Sequence, residues 1–417
     1  VEAGEAAEAA GVGEAAEDAE AQEEGKEEAV EAEKPDERDL PVPVEEGPPF
    51  RRPPMPLWSS SRRLTLLHEA EPRRWRAALQ ELENLARMCE ASEISTGAEL
   101  ALAVQRVRAA SGRATEGMIG LARALASAEE RSICEVADFC AVVAPRLAHL
   151  ARYLPWYLGG EGLCLLPQGE TNEVFLTRRQ CAAILASAVF AVLPDVPADF
   201  EAADFEFGGV MDMEEEKVLC LLAYFHRVAM ASEDFLDEVV SFGRRREDPS
   251  AHAHQFWMGL DAPLRKACVE RGPVEEALDC MLALSSSDKL GGGVLSGCAS
   301  EEELAFLVAP ERLIARLVCE RALSSEAIFI VGAARYCACT GTGSACVFDG
   351  PCLEECPVPL DARRRRGPRL VAMDPIAFPG KLQYKPAYVQ RELLKAYVAC
   401  LGDPADDVAV AESSSPP

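Results

Sequence analysis

Three consecutive glycines, Gly291-Gly292-Gly293, stand shortly before three consecutive glutamates, Glu301-Glu302-Glu303. Glycines bring a backbone close to a ligand and aim several N–H groups at an anion. The glutamates open an apolar helical stretch that runs to Val308. Carboxylates beside such a loop are candidates for general acid/base catalysis, in which one carboxylic acid gives a proton and later takes one back. An acid in that role must keep its proton near neutral pH. Burial and a second carboxylate favour this, and a helix N-terminus opposes it. The pocket must therefore be desolvated, and no metal or other cofactor is required. Glutamates in a first helical turn also match the helix dipole, so residue types alone leave a structural reading open.

Other chemistry-bearing groups carry blander readings. Cys337, Cys339, Cys346, Cys352 and Cys356 crowd one segment. Zinc sites favour Cys pairs two to four residues apart with His nearby. Only Cys352 and Cys356 approach that spacing and no His is close, so the segment reads as a loop of reduced thiols. His252 and His254 read as a surface loop. Arg363 to Arg366, with Arg369, is the one basic run; it reads as a solvated loop with some capacity to touch a polyanion.

The elements that must position these groups follow from periodicity. Trp75, Ala78, Leu79, Leu82, Leu85 and Met88 form one apolar helical face. Thr177 and Gln180 make a capping box for a helix that Pro194 is expected to end. Val218 to Val228 is a further helix. After about residue 236, Val239 to Phe242, Cys280 to Leu284, Ala327 to Val331 and Leu370 to Met373 have the length of buried strands. Glu301 to Val308, Glu311 to Leu323 and Ala387 to Cys400 are helical between them, which implies an α/β sheet domain. Four segments result: a disordered acidic and Pro-rich leader over 1–60, an α-helical accessory domain over 61–235, a sheet domain over 236–405 and a disordered tail over 406–417.

Of the 417 residues, 70 are acidic and 42 basic, giving a net charge of −28. Sixteen acids and three bases fall within residues 1–40. Phosphate contacts need clustered Lys and Arg, so direct DNA binding is not expected. The longest apolar run, Cys181 to Leu193, is too short for a membrane span and fits a buried core helix. The N-terminus has no basic or apolar leader of the secretory kind. Sixteen cysteines spread through a chain of this size read as reduced thiols of the nucleus or cytoplasm. Val1 and the closing Ser413-Ser414-Ser415-Pro416-Pro417 suggest a fragment.

The segment from Gly291 through Leu304 and on to Ala309-Pro310-Glu311 resembles the signature of poly(ADP-ribose) glycohydrolases, in which GGG is followed by Gln-Glu-Glu, an apolar helix and Asn-Pro-Glu. Further pieces appear in the family's order. Leu176-Thr177-Arg178-Arg179-Gln180 resembles an accessory-domain L-[ST]-x-x-Q helix, and Leu221 to Val228 its FCYFRRV helix. Val274-Glu275-Glu276 with Met281-Leu282 is similar to an Ile-Glu-Glu…Met-Leu strand approach. Val371-Ala372-Met373-Asp374 is similar to VAID, and Arg391-Glu392-Leu393-Leu394-Lys395-Ala396-Tyr397 to RELNKAY. The resemblance implies a macrodomain-like mixed sheet flanked by helices, incomplete at its C-terminus, behind the helical domain. It also implies hydrolysis of ribose–ribose O-glycosidic bonds by a monomer acting on poly(ADP-ribose) or ADP-ribosylated proteins. By position Glu303 is the general acid/base and Glu302 its partner on ribose hydroxyls. Gly291, Gly292 and Gly293 face the diphosphate, and Val274 and Glu275 meet adenine. For the assignment to hold, Glu302 and Glu303 must face the glycine loop.

Four departures accompany the resemblance. The family's VDFAN reads Leu284-Ser285-Ser286-Ser287-Asp288, which replaces a carboxylate by Ser285 and an Asn by Asp288. Glu301 replaces the Gln of Gln-Glu-Glu. In the adenine-stacking loop Tyr336 is retained, but Cys339 stands where the principal Tyr is expected. The family's GNWGCGAFGGD loop lies past the last residue. Two alternatives follow: an ADP-ribose-binding module of the same fold with impaired catalysis, or a helical interaction scaffold.

Overall fold

The computed structural model describes residues 38–405 apart from 39, 57–58, 114–116, 260–279, 298–299, 354–355 and 377–379. Most of the acidic leader, the tail over 406–417 and the expected adenine contacts Val274 and Glu275 lie outside the described residues.

The N-terminal helices are α1 (Pro72–Glu90), α2 (Gly97–Ala110), α3 (Ile119–Ser127), α4 (Ala144–Arg152), α5 (Arg178–Val189) and α6 (Glu215–Met230). Helix α1 buries Trp75, Ala78, Leu82 and Leu85, the face its periodicity predicts. Helix α5 is buried along its whole length. It starts at the expected capping box: Thr177 N–H donates to Gln180 Oε1 at 2.8 Å and Gln180 N–H to Thr177 Oγ1 at 3.2 Å. It ends before Pro194, through Ala191 in a left-handed conformation (φ 56°) and a bond from Val192 N–H to Ser187 O. The Pro-rich stretch is not wholly leader-like. Trp156 Nε1 donates to Pro48 O, and Phe50 packs edge-on against Tyr157 with ring centroids 5.1 Å apart.

A five-stranded mixed sheet carries the second half. Its strands are β1 (Asn172–Thr177), β2 (Val239–Arg246), β3 (Met281–Ser285), β4 (Glu326–Val331) and, after a separate hairpin of β5 (Cys337–Thr340) with β6 (Val347–Pro351), β7 (Arg369–Met373). The order is β1-β2-β4-β7-β3; only β7 and β3 are parallel. Ala327, Phe329 and Val371 pack against Leu394, Val398 and Ala399 of α8 (Pro386–Cys400), which follows α7 (Glu301–Leu307) in the chain. Ile328, Ile330, Leu370 and Ala372 point into the main core, as alternation along a strand requires. Strand β3 corrects an expectation. It was expected to be buried, yet Met281, Ala283 and Ser285 are exposed, because β3 is the sheet edge and pairs only with β7 among the described residues. The helix expected over Glu311 to Leu323 is instead a 3-10 turn, Pro310–Ile314, followed by one α turn, Ala315–Val318.

A buried ionic chain ties the helices to the sheet. Arg178 donates to Glu238 Oε2 (3.1 Å), Glu311 Oε2 (2.6 Å) and Gly332 O (2.8 Å). Arg366 reaches the other oxygen of Glu238 at 2.9 Å. Burial alone would lower the Arg178 pKa, but Glu311, Tyr336 and Glu238 hold it well above its usual value. The basic run is therefore structural, which corrects its reading as a solvated or substrate-touching loop. Arg365 is buried and paired with Asp361 and Asp403, and Arg364 donates to Asp237 O. His252 is also buried, stacked among Phe256, Trp257 and Tyr397, and not on a surface loop.

Removing the hub guanidinium would leave the fully buried Glu311 without its cation and Glu238 with one of its two. Arg178→Met is expected to cost about 3–5 kcal/mol, read as a lower urea midpoint with unchanged slope; a loss below about 1 kcal/mol contradicts a structural role for the chain of pairs.

Candidate active site

Glu302 and Glu303 occupy the first turn of α7 and are 8% and 5% exposed. Both turn back onto the glycine loop. Glu302 Oε1 accepts from Gly291 N–H at 2.7 Å and from Ser286 Oγ; its Oε2 accepts from Ser287 N–H and Ser287 Oγ, each at 3.0 Å. Four donors occupy the four lone-pair positions of a carboxylate, so Glu302 is committed as an anchored acceptor. Glu303 has two: Gly293 N–H on Oε1 at 2.7 Å and Ser300 N–H on Oε2. It keeps lone pairs for a substrate.

The underside of the loop is held by Arg316, which is 3% exposed. Its Nη1 donates to Leu290 O and Gly292 O, both at 2.8 Å, and its Nε to Asp204 O at 2.9 Å. Leu290 O and Gly291 N–H belong to one peptide unit, and Gly292 O and Gly293 N–H to another. Each unit thus presents its carbonyl to the guanidinium and its N–H to a carboxylate, aligned with the field between them. Burial lowers the Arg316 pKa, with Asp204, Glu302 and Glu303 offsetting part of that effect. Lys217 of α6 adds a second brace, Nζ to Val294 O at 3.0 Å.

This geometry requires glycine. At Gly292 φ is +47°, and a Cβ would lie 2.8 Å from Glu303 Oε1 and 3.4 Å from Glu302 Oε2. At Gly291 φ is +76°, and a Cβ would meet Arg316 Nη1 at 3.0 Å.

The structure brings together Gly291, Gly292, Gly293, Glu302 and Glu303. It redirects one expectation, because the N–H groups of Gly291 and Gly293 are donated to the two glutamates and do not point at an open anion site. Glu301 is exposed at the first helical position. Asp288 is exposed as well, with its carboxylate on Lys289 N–H and 3.7 Å from Arg321 Nε. Tyr336 requires correction as a substrate contact. It is 1% exposed, its hydroxyl donates to Glu311 Oε1 at 2.7 Å, and its ring packs edge-on against Tyr224 at 4.7 Å. Burial, then Glu311, pushes its phenol well above the usual range. Arg316, Lys217, Ser286 and Ser287 complete the cluster without having been singled out from sequence. The available signal was a charged residue inside an otherwise apolar run, Ile314-Ala315-Arg316-Leu317-Val318.

Comparison with known proteins agrees with the motif order. Residues 133–244 match the helical domain of poly(ADP-ribose) glycohydrolase, and residues 254–411 match its macro domain fold. The chain belongs to the poly(ADP-ribose) glycohydrolase family. A helical domain of this family is therefore followed by a macrodomain-fold domain, the mixed sheet flanked by helices described above. Poly(ADP-ribose) glycohydrolase 1 of Arabidopsis thaliana is 31% identical over 249 residues, which are 56% of this chain and 44% of that protein. Probable poly(ADP-ribose) glycohydrolase 2 of Arabidopsis thaliana is 28% identical over 354 residues, 76% and 66% of the two chains. Poly(ADP-ribose) glycohydrolase 1 of Caenorhabditis elegans is 31% identical over 183 residues, 42% and 22%. The chain thus spans between about a quarter and two thirds of these family members. Among the described residues no helix is long and apolar enough to cross a membrane.

The contact between Gly292 and Glu303 gives a local test. Gly292→Ala is expected to push the Glu303 carboxylate off Gly293 N–H. A hydrogen bond to a charged group contributes about 1.5–3 kcal/mol, so the Gly293 amide should exchange with solvent about tenfold faster or more. Unchanged protection at Gly293 contradicts the described contact.

Proposed function

We propose that the protein hydrolyses the ribose–ribose O-glycosidic bonds of poly(ADP-ribose), with Glu303 as general acid/base and Glu302 as its positioned partner. The observation that carries this reading is the pair of buried, adjacent carboxylates held over Gly292 in unequal states of hydrogen bonding. Family membership supports poly(ADP-ribose) glycohydrolase function at the coarser level, at 28–31% identity to the relatives named.

In this reading Glu303 gives its proton to the bridging oxygen as the C–O bond breaks, and the sugar carbon takes on oxocarbenium character. The Glu303 carboxylate then accepts a proton from water as the water oxygen bonds to that carbon. The acid is restored, and one water has been added across the bond. Glu302, fixed by Ser286, Ser287 and Gly291, presents a stationary negative charge to the developing positive charge, and ribose hydroxyls fall to the free lone pairs of Glu303. The four donors on Glu302 do not move during the reaction, so no reorganisation accompanies charge development. Ser286 and Ser287 hold this carboxylate in a stretch where the family pattern has an acid of its own. Polymer or ADP-ribosylated protein is the partner on this reading, and recognition is local, since Arg364, Arg365 and Arg366 are held by internal partners.

Release of ADP-ribose from labelled poly(ADP-ribose) tests the proposal. Glu303→Gln is expected to lower the rate about 10²–10⁴-fold in protein that still unfolds in one cooperative transition. Polymer retained without release by the parent protein would make it a binding module instead. Neither release nor retention would leave a scaffold.

A further inference from the structure

Sequence spacing argued against a metal in the Cys337 to Cys356 segment, but the fold adds a cysteine from far away. Cys220 on α6 meets Cys337 and Cys339 on β5, and the three sulfur atoms all lie within 4.8 Å of one another. Cys220 Sγ and Cys339 Sγ are 3.5 Å apart. Cys346, at the approach to β6, directly precedes Val347, which pairs with Thr340 next to Cys339. Cys220 and Cys337 are buried, whereas Cys339 and Cys346 are half-buried and give a route from solvent.

Four sulfurs at a tetrahedral zinc ion with Zn–S near 2.3 Å stand about 3.8 Å from one another. The Cys220–Cys339 separation of 3.5 Å and the 4.8 Å span of the three-sulfur group bracket that spacing without coordination. A disulfide is a poorer fit. Joining Cys220 to Cys339 would draw their sulfurs to about 2.05 Å and leave Cys337 and Cys346 without a role. None of the described cysteines forms a disulfide.

We propose that Cys220, Cys337 and Cys339, with Cys346 as fourth ligand, form a structural site for a thiophilic divalent ion of the zinc class, clamping the β5–β6 hairpin to helix α6. Each thiol that coordinates releases its proton to solvent. The clamp is coupled to the glutamate cluster through α6. Cys220 lies one helical turn beyond Lys217, whose ammonium holds Val294 O at the end of the glycine loop. On the same turn Glu216 Oε2 accepts from Phe348 N–H of β6 at 2.7 Å. The site does not depend on the hydrolytic reading, and its readout is metal content.

The test uses protein purified under reducing conditions, stripped with chelator and reloaded with zinc. The expected result is about one zinc per chain by elemental analysis. Cobalt in its place should give thiolate-to-metal charge-transfer bands and tetrahedral ligand-field absorption. Cys220→Ser and Cys339→Ser should each weaken zinc binding about tenfold or more, and Cys346→Ser should do the same if Cys220→Ser fails to fold. Cys280→Ser, an exposed cysteine outside the cluster, should bind as the parent does. Three results overturn the proposal: less than about 0.2 zinc per reduced chain, a cobalt spectrum without thiolate bands, or parental zinc binding in Cys339→Ser. A Cys220–Cys339 disulfide in protein purified without reductant, with no zinc uptake after reduction, overturns it as well.

Discussion

Two peptide units in the glycine loop lie between one guanidinium and two carboxylates, and the rest of the candidate site depends on that arrangement. Arg316 takes the carbonyls of Leu290 and Gly292, while Glu302 and Glu303 take the N–H groups of Gly291 and Gly293. Two buried carboxylates side by side repel each other, and in a low-dielectric setting that repulsion is large. The aligned peptide dipoles and the buried cation beneath them offset it without placing a neutralising group directly on either carboxylate. Glu303 can therefore stay buried and still face outward over Gly292. Any side chain at Gly292 would enter the space that the carboxylates occupy.

A second buried framework sets the position of the first. The chain Arg366–Glu238–Arg178–Glu311–Tyr336 runs from the loop before β7 through the start of α5 to the turn that precedes Arg316. It joins the helical domain to the sheet domain, and Glu311 gathers Arg178, Tyr336 and Ala334 N–H at the turn. Helix α6 performs a related task from the other side, with Lys217 on the glycine loop and Cys220 in the thiol cluster. At the site, Arg316 and Lys217 hold backbone carbonyls in place.

Much of this was legible in the sequence where apolar pattern or local hydrogen-bonding chemistry determines structure. The strands at Val239 to Phe242, Ala327 to Val331 and Leu370 to Met373, and the Thr177–Gln180 box, stand where pattern placed them. Strand β1 was not legible, because Asn172, Glu173 and Thr177 break the apolar signature although all three are buried in the sheet. The facing of Glu302 and Glu303 onto the glycine loop agrees with the motif reading, but the partners do not follow from it. Ser285 stands where the family pattern has a carboxylate, and its neighbours Ser286 and Ser287 are the donors that fix Glu302. Tyr336 had the residue type of a stacking ring, yet burial against Tyr224 and Glu311 gives it a different task. Cys220 was invisible as a neighbour of Cys339, since 119 residues separate them and only the packing of α6 on the hairpin brings them together.

The most direct measurement of the central claim is a crystal structure of the protein with ADP-ribose bound. A ribose hydroxyl is expected within about 2.6–3.2 Å of a Glu303 carboxylate oxygen, with the sugar seated over Gly292 and the Gly291 and Gly293 N–H groups still on the two glutamates. A nucleotide bound away from Gly292, with no contact to Glu303, would contradict it.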